Sequence, residues 1–178
     1  MNHATLTPSP WIVRWSHLPA ADATVLDVAC GAGRHMQWFA QRGHAVTGVD
    51  RSPEAVDAAG RFGRAVLADI EAGPWPFAGQ RFGAVVVTNY LWRPRLPDIV
   101  AAVAPGGVLL YETFAMGNET VGKPSRPDFL LAPGELLAAC APLRVVAYED
   151  GFLSAPERFV QRIAAVRPSG AAPARHPL

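Results

Sequence analysis

The sequence predicts a doubly wound α/β domain on a mostly parallel sheet, with an antiparallel last strand. Three observations carry that reading. Strand-like runs alternate with helix-like segments along most of the chain. The runs are apolar throughout rather than at every second residue, the mark of strands covered on both faces. Three successive strands carry acids at or near their ends, Asp27, Asp50 and Asp69, and the carboxyl ends of the strands are where an open parallel sheet binds its ligands.

The elements follow in order. Residues 1–10 are polar and proline-marked and read as mobile; Trp11, Ile12, Val13 and Trp15 then make an apolar cluster around Arg14. This arm, residues 1–23, either docks on the core or also lids the site. Val25–Val28 is the first strand, followed by a turn over Ala29, Cys30, Gly31, Ala32 and Gly33 and a helix over Arg34–Arg42. Gly43 suits the helix C-terminus. Ala45–Val49 is the second strand, ending on Asp50; Ser52 is a good N-cap and Pro53 fits the first position of a helix running to about Arg61. Ala65–Ala68 is the third strand and Glu71–Arg81 a loop. Phe82–Thr88 is a buried strand, Pro97–Val103 a weak helix stopped by Pro105-Gly106-Gly107, and Val108–Thr113 the next strand. Phe114–Ala132 is rich in Gly, Pro and Asn, and a structureless loop of that length is usually functional or disordered. Pro133–Cys140 is a short helix; Leu143–Asp150 and Arg158–Val166 form an antiparallel pair closing one edge. The core therefore spans residues 24–166, and the Pro/Ala tail 167–178 reads as disordered.

Composition narrows the function classes. The 178 residues suffice for one domain with a substantial core. With 50% hydrophobic and 17% charged residues and a net charge of +1, the chain has no basic face for a nucleic acid. Cys30 and Cys140 lack the spacing of a zinc site or a disulfide framework, so no metal is expected. The N-terminus does not read as a signal peptide and no apolar run is long enough to span a membrane, so a cytoplasmic protein, monomer or homodimer, is expected.

The glycine turn is the centre of the chemistry. Gly31 and Gly33 let a ligand lie against the main chain, and the helix that follows directs free N–H groups and its positive dipole end at the same spot. Asp50, 23 positions after Asp27, suits a bidentate grip on two ribose hydroxyls. Asp69 suits the exocyclic amine of an adenine, and Asp27 either holds the turn or meets an ammonium group. A nicotinamide or flavin site needs a third glycine where Met36 stands.

Here the chain resembles the class I S-adenosylmethionine-dependent methyltransferases, over about Val25 to Thr113. VLDVACGAG resembles their first motif, with Ala29 in place of the usual first glycine. GVDRSPEAV, with Asp50 and Arg51, is similar to the ribose motif, and ADIE to the adenine motif. FGAVVVTNYLW is similar to the fourth motif, and PGGVLLYETF to the fifth-strand segment. RPDFLLAPGELL resembles the small tellurite-resistance-type branch. The resemblance implies a Rossmann-like fold with S-adenosyl-L-methionine as cofactor. It places Asp69 and Ile70 at the adenine and Asn89 and Tyr90 beside the transferable methyl.

Arg34 or His35, in the first helical turn, would reach the methionine carboxylate, with Arg14 a competitor; His35 suits a neutral supporting role better than that of a base. The acceptor is expected to be a small molecule. Arg14, Trp92, Arg93, Glu112, Thr113 and Arg126 are its candidate contacts, under a loop that also carries Asn118 and Lys123. No residue stands out as a catalytic base, and TNYL lacks the Asn-Pro-Pro-Tyr pattern of the nucleobase and glutamine N-methyltransferases. The alternative function is a non-catalytic module that binds S-adenosylmethionine.

Overall fold

The computed structural model describes residues 6–170 and 174–178. Helix α1 (Pro10–Trp15) precedes β1 (Val25–Val28), α2 (Arg34–Ala40), β2 (Val46–Asp50), α3 (Pro53–Ala59) and β3 (Arg64–Leu67). Then follow β4 (Phe82–Thr88), α4 (Leu96–Ala101), β5 (Val103–Phe114), α5 (Glu135–Ala139), β6 (Arg144–Ser154) and β7 (Glu157–Val166). The seven strands form one sheet in the order β3-β2-β1-β4-β5-β7-β6. The first five are mutually parallel; β7 runs antiparallel to β5 and to β6, as the sequence predicts. Strand order reverses between β1 and β4, which opens a ligand crevice at their carboxyl ends.

The helices divide between two faces. Trp11, Ile12 and Trp15 of α1 and Met36 and Phe39 of α2 pack with Val86, Leu110 and Ala164 on one face. Ile99 of α4, Leu136 of α5 and Phe77 pack with Val85, Leu109 and Ile163 on the other. The strand interiors are buried because both faces need apolar cover, hence the runs without a period of two. The edge strand β6 departs from that rule: it is half-exposed along its length.

Three expectations are corrected. The mobile N-terminus was expected to reach residue 10, but Ser9 is buried, caps α1 through Trp11 N–H, and Trp11 Nε1 donates to Ile163 O at 3.2 Å. Residues 1–5 lie outside the described chain. The tail does not start free at residue 167: Arg167 N–H donates to Gly107 O, and its guanidinium donates to Val103 O and Val100 O at 2.7 Å. Residues 171–173 lie outside the described chain. The 114–132 stretch is folded rather than structureless. Ala115 bridges Leu131, two 3-10 turns follow (Asn118–Thr120, Pro127–Phe129), and Leu130 and Leu131 are buried. The Pro105-Gly106-Gly107 stop lies inside β5, where the register against β4 shifts.

Candidate cofactor and acceptor site

At the end of β1 the chain turns through Ala29 at φ 53° and Gly31 at φ 52°, with Gly33 at φ 84° capping α2. Ala29 takes a left-handed conformation that costs an alanine roughly 1–2 kcal/mol, so the substitution of the motif's glycine is less mild than side-chain size implies. A Cβ on Gly31 would meet open space, leaving its backbone free to a ligand. A Cβ on Gly33 would press on Ala59 and Phe62 at 3.1 Å, so this glycine serves the approach of α3 rather than of a ligand. Gly48, opposite Asp27 in the β1–β2 register, was not singled out from sequence; a Cβ there would run into Met36 Sδ and Cys30 Sγ.

The three acids come together at the crevice in three different states. Asp27 is buried, and its Oδ2 has no hydrogen-bond partner among the described residues. Burial pushes its carboxyl up to about 7, against the pull of the Arg34 guanidinium and the Met36 backbone N–H. Asp50 accepts Gly31 N–H on Oδ2 at 2.8 Å and Ser52 N–H on Oδ1 at 3.0 Å, tying β2 to the glycine turn. Each oxygen keeps a further lone pair for a hydroxyl. Asp69 is exposed; its Oδ1 accepts from the Glu71 and Ala72 N–H groups, which holds the carboxyl below its usual range.

Asp50, Asp69, Ile70 and Tyr90 line one groove of about 120 Å³, together with Arg51 and Ala29. Arg51 is mostly exposed and lies 3.9 Å from Glu71. A second cavity of about 250 Å³ adjoins it, lined by Asn89, Leu91, Thr113, Phe114, Pro124 and Phe129. Glu71 and Tyr90 border both spaces. Glu71 closes the ADIE motif, but only Asp69 and Ile70 of that motif are read from sequence as ligand contacts. Asn89 turns the chain at φ 54°, a conformation asparagine tolerates, and holds its N–H to Glu112 O. Arg95, also unforeseen, fixes the loop after β3 by donating to Ile70 O and Gly73 O.

Several candidate residues belong elsewhere. Arg34 does stand at the crevice, donating to Thr88 Oγ1 at 3.3 Å across the end of β1. His35 does not reach a ligand carboxylate. It is buried, and its Nε2 accepts the Ser9 N–H at 3.0 Å, which requires an unprotonated Nε2. Burial holds its pKa down to about 3. Arg14 pairs with Glu149 on β6, at the far edge of the sheet. The Cys30 thiol faces β2 and is pushed up to about 12 by burial, so only its backbone serves the turn. Glu112 is no acceptor contact. It is buried, accepts Ser9 Oγ at 2.9 Å, and faces Arg162 at 3.3 Å and Arg158 at 3.8 Å. Arg93 grips Glu135 with two nitrogens and donates to Asp128 O and Leu130 O, anchoring the loop to α5. Asn118 is a staple inside that loop, bonded to Pro124 O and Phe159 N. Arg126 is exposed and pairs with Asp128, while Trp92 is half-buried at the start of a 3-10 turn.

A sheet of this order, with a glycine turn at the reversal point and acids on the next two strand ends, is the arrangement that the motif resemblance to class I methyltransferases implies. The comparisons point the same way: residues 25–107, just under half of the chain, match the family described as "Methyltransferase domain". Among solved structures, TehB from Haemophilus influenzae superposes with a TM-score of 0.69 at 20% identity, over 88% of this chain and 61% of TehB. The chain thus spans about three-fifths of that protein's length. A TehB-like methyltransferase from Corynebacterium glutamicum gives 0.64 at 20% identity, over 89% of this chain and 87% of that one. The glycopeptide N-methyltransferase MtfA complexed with S-adenosyl-L-homocysteine gives 0.62 at 19%, over 94% and 91%. Identities this low establish the shared fold. No curated protein matches the sequence significantly. Among the described residues no helix is long and apolar enough to cross a membrane, and no cluster of side chains could hold a metal ion.

Proposed function

We propose that this protein transfers a methyl group from S-adenosyl-L-methionine to a small-molecule acceptor held in the cavity beside the cofactor groove. The observation that carries the reading is the pair of adjoining spaces with Glu71 and Tyr90 as a common border. Transfer needs two ligands side by side, whereas a module that only senses the cofactor needs one.

The residues fit the cofactor. The orphaned, buried Asp27 Oδ2 is placed to take an ammonium group, and Arg34 a carboxylate. Asp50 offers its free lone pairs to ribose hydroxyls, while Asp69 and Ile70 meet the adenine edge and face. S-adenosylmethionine supplies a methyl on a sulfonium, already a good leaving group. The protein's own share is therefore orientation and the exclusion of water, and orientation alone contributes up to roughly 7–11 kcal/mol. Asn89 and Tyr90, at the tip of β4, border the place where the two ligands meet.

The two cysteines are both unpaired, in keeping with a reducing, cytoplasmic setting; a monomer or homodimer is part of the same proposal. The test is incubation with methyl-labelled S-adenosylmethionine and a panel of thiols, chalcogen oxyanions, amines and phenols. Turnover above the blank supports the enzyme; tight cofactor binding without turnover on a broad panel converts it to a binding module. In parallel, Asp50→Ala should weaken S-adenosylhomocysteine binding by about 1–3 kcal/mol in calorimetry. Unchanged affinity would remove Asp50 from the ribose site.

A further inference from the structure

The acceptor cavity has a chemistry of its own. Its walls are Leu91, Phe114, Pro124 and Phe129, with Asn89 and Thr113 as the neutral polar groups. Among the described residues no arginine, lysine or histidine lines it, and the one charged lining group is Glu71. The nearest compensation for that carboxylate is Arg51 at 3.9 Å, which is mostly solvated and borders the cofactor groove instead. The cavity therefore disfavours an anion, which would lose its hydration and meet a like charge. At about 250 Å³ it falls just below the usual range for drug-sized ligands, about 300–1,000 Å³.

Tyr90 supplies the second, independent observation. Tyr90 lines both spaces, and its hydroxyl is buried without a hydrogen-bond partner among the described residues. A buried hydroxyl left unmade is costly, and burial also keeps it protonated, hence a donor. The neighbouring Tyr111, by contrast, has its hydroxyl satisfied by Tyr90 O at 2.7 Å. The unmade bond points to a ligand atom that accepts a hydrogen bond at the seam between the two spaces.

We infer that the acceptor is an uncharged compound of one or two aromatic rings bearing a hydroxyl. Its rings lie against Phe114 and Phe129, and its oxygen accepts from Tyr90 while its proton faces Glu71. This rests on the reading of the adjoining groove as the cofactor site. The nearby cationic groups are engaged elsewhere: Arg93 by Glu135 and two carbonyls, Arg162 by Glu112 and Glu149, and Arg126, which lies over the Phe129 ring, by Asp128 in solvent.

The experiment measures binding on the full chain by titration calorimetry, first with S-adenosylhomocysteine, then with naphthol and naphthoate on the S-adenosylhomocysteine complex. These two probes match in size and differ in charge. Naphthol should bind at least about tenfold more tightly than naphthoate. Tyr90→Phe should weaken naphthol about three- to tenfold and leave naphthoate unchanged, and Phe129→Ala should weaken naphthol further still. Equal or tighter binding of naphthoate, no binding of either probe, or naphthol affinity unmoved by both variants would overturn the acceptor class. The wild-type comparison of the two probes decides the matter even where a variant fails to fold. Failure of S-adenosylhomocysteine itself to bind would instead overturn the cofactor reading, so the two failures are distinguishable.

Discussion

On the α1/α2 face of the sheet's carboxyl edge, Glu112 is enclosed by Ser9, Arg158 and Arg162, while on the opposite face Glu71 and Tyr90 border open cavities. Glu112 and Thr113 are consecutive residues of one strand, so their side chains point to opposite faces. Glu112 enters a network of opposite charges, whereas Thr113 lines a cavity. The difference is one of hydrogen-bond supply. The closed face has donors to spare, from the arm and from β7, so that Arg158 Nε goes unpaired among the described residues, whereas on the open face the unmatched group is Tyr90 Oη, beside a cavity. Polar residues at a strand end are therefore functional candidates only where the fold leaves them unspent.

Breaking the closed face should have the largest effect. Glu112→Ala strands Arg158, leaves Arg162 with Glu149 alone and removes the partner of Ser9 Oγ, so thermodynamic stability should fall by about 3–5 kcal/mol in denaturant titration. A loss near zero would mean that the network is not what closes this face.

Acid should sharpen the comparison next. His35 titrates at about 3 in the fold and near 6.5 when unfolded, so the unfolded chain binds more protons between those values. Stability from this group is present above pH 6.5 and falls as the pH drops toward 3. Asp27 works in the opposite sense. Its folded value of about 7 lies above its ordinary 3.8, so acidification between 7 and 3.8 favours the fold. Asp27→Asn should therefore give a steeper loss of stability from pH 6.5 to 4 than the wild type, measured by urea midpoints across pH. An unchanged slope would remove Asp27 from the balance.

The smallest effect belongs to the rim of the open face. Arg126 is exposed, pairs with the equally exposed Asp128 and lies over the Phe129 ring at 5.5 Å, so Arg126→Ala should change stability by no more than about 0.5 kcal/mol. A larger loss would show that the loop depends on this ion pair rather than on Arg93 and Asn118.

Particular residues show how far the sequence could be read. Asp27, Gly31 and Asp50 were legible because strand, turn and helix signals lie within a short span of chain. Glu112 and Arg93 were read as acceptor contacts because strand ends near a crevice normally are. Their partners, Arg158 and Arg162 on β7 and Glu135 on α5, lie 46, 50 and 42 positions away in the chain, with nothing local to announce them. Ser9 is the same case, 26 residues from His35 and 103 from Glu112.

By itself the sequence determined the alternation of strands and helices, the cradle at the first turn and the acids on the strand tips, because burial patterns and turn chemistry are local. Only the tertiary structure decided which polar groups are spent on one another and which face a ligand, and it alone set the acidic, aromatic character of the second cavity. Hydrogen bonds and ion pairs saturate once made, and whether a group is already saturated depends on neighbours brought from distant parts of the chain.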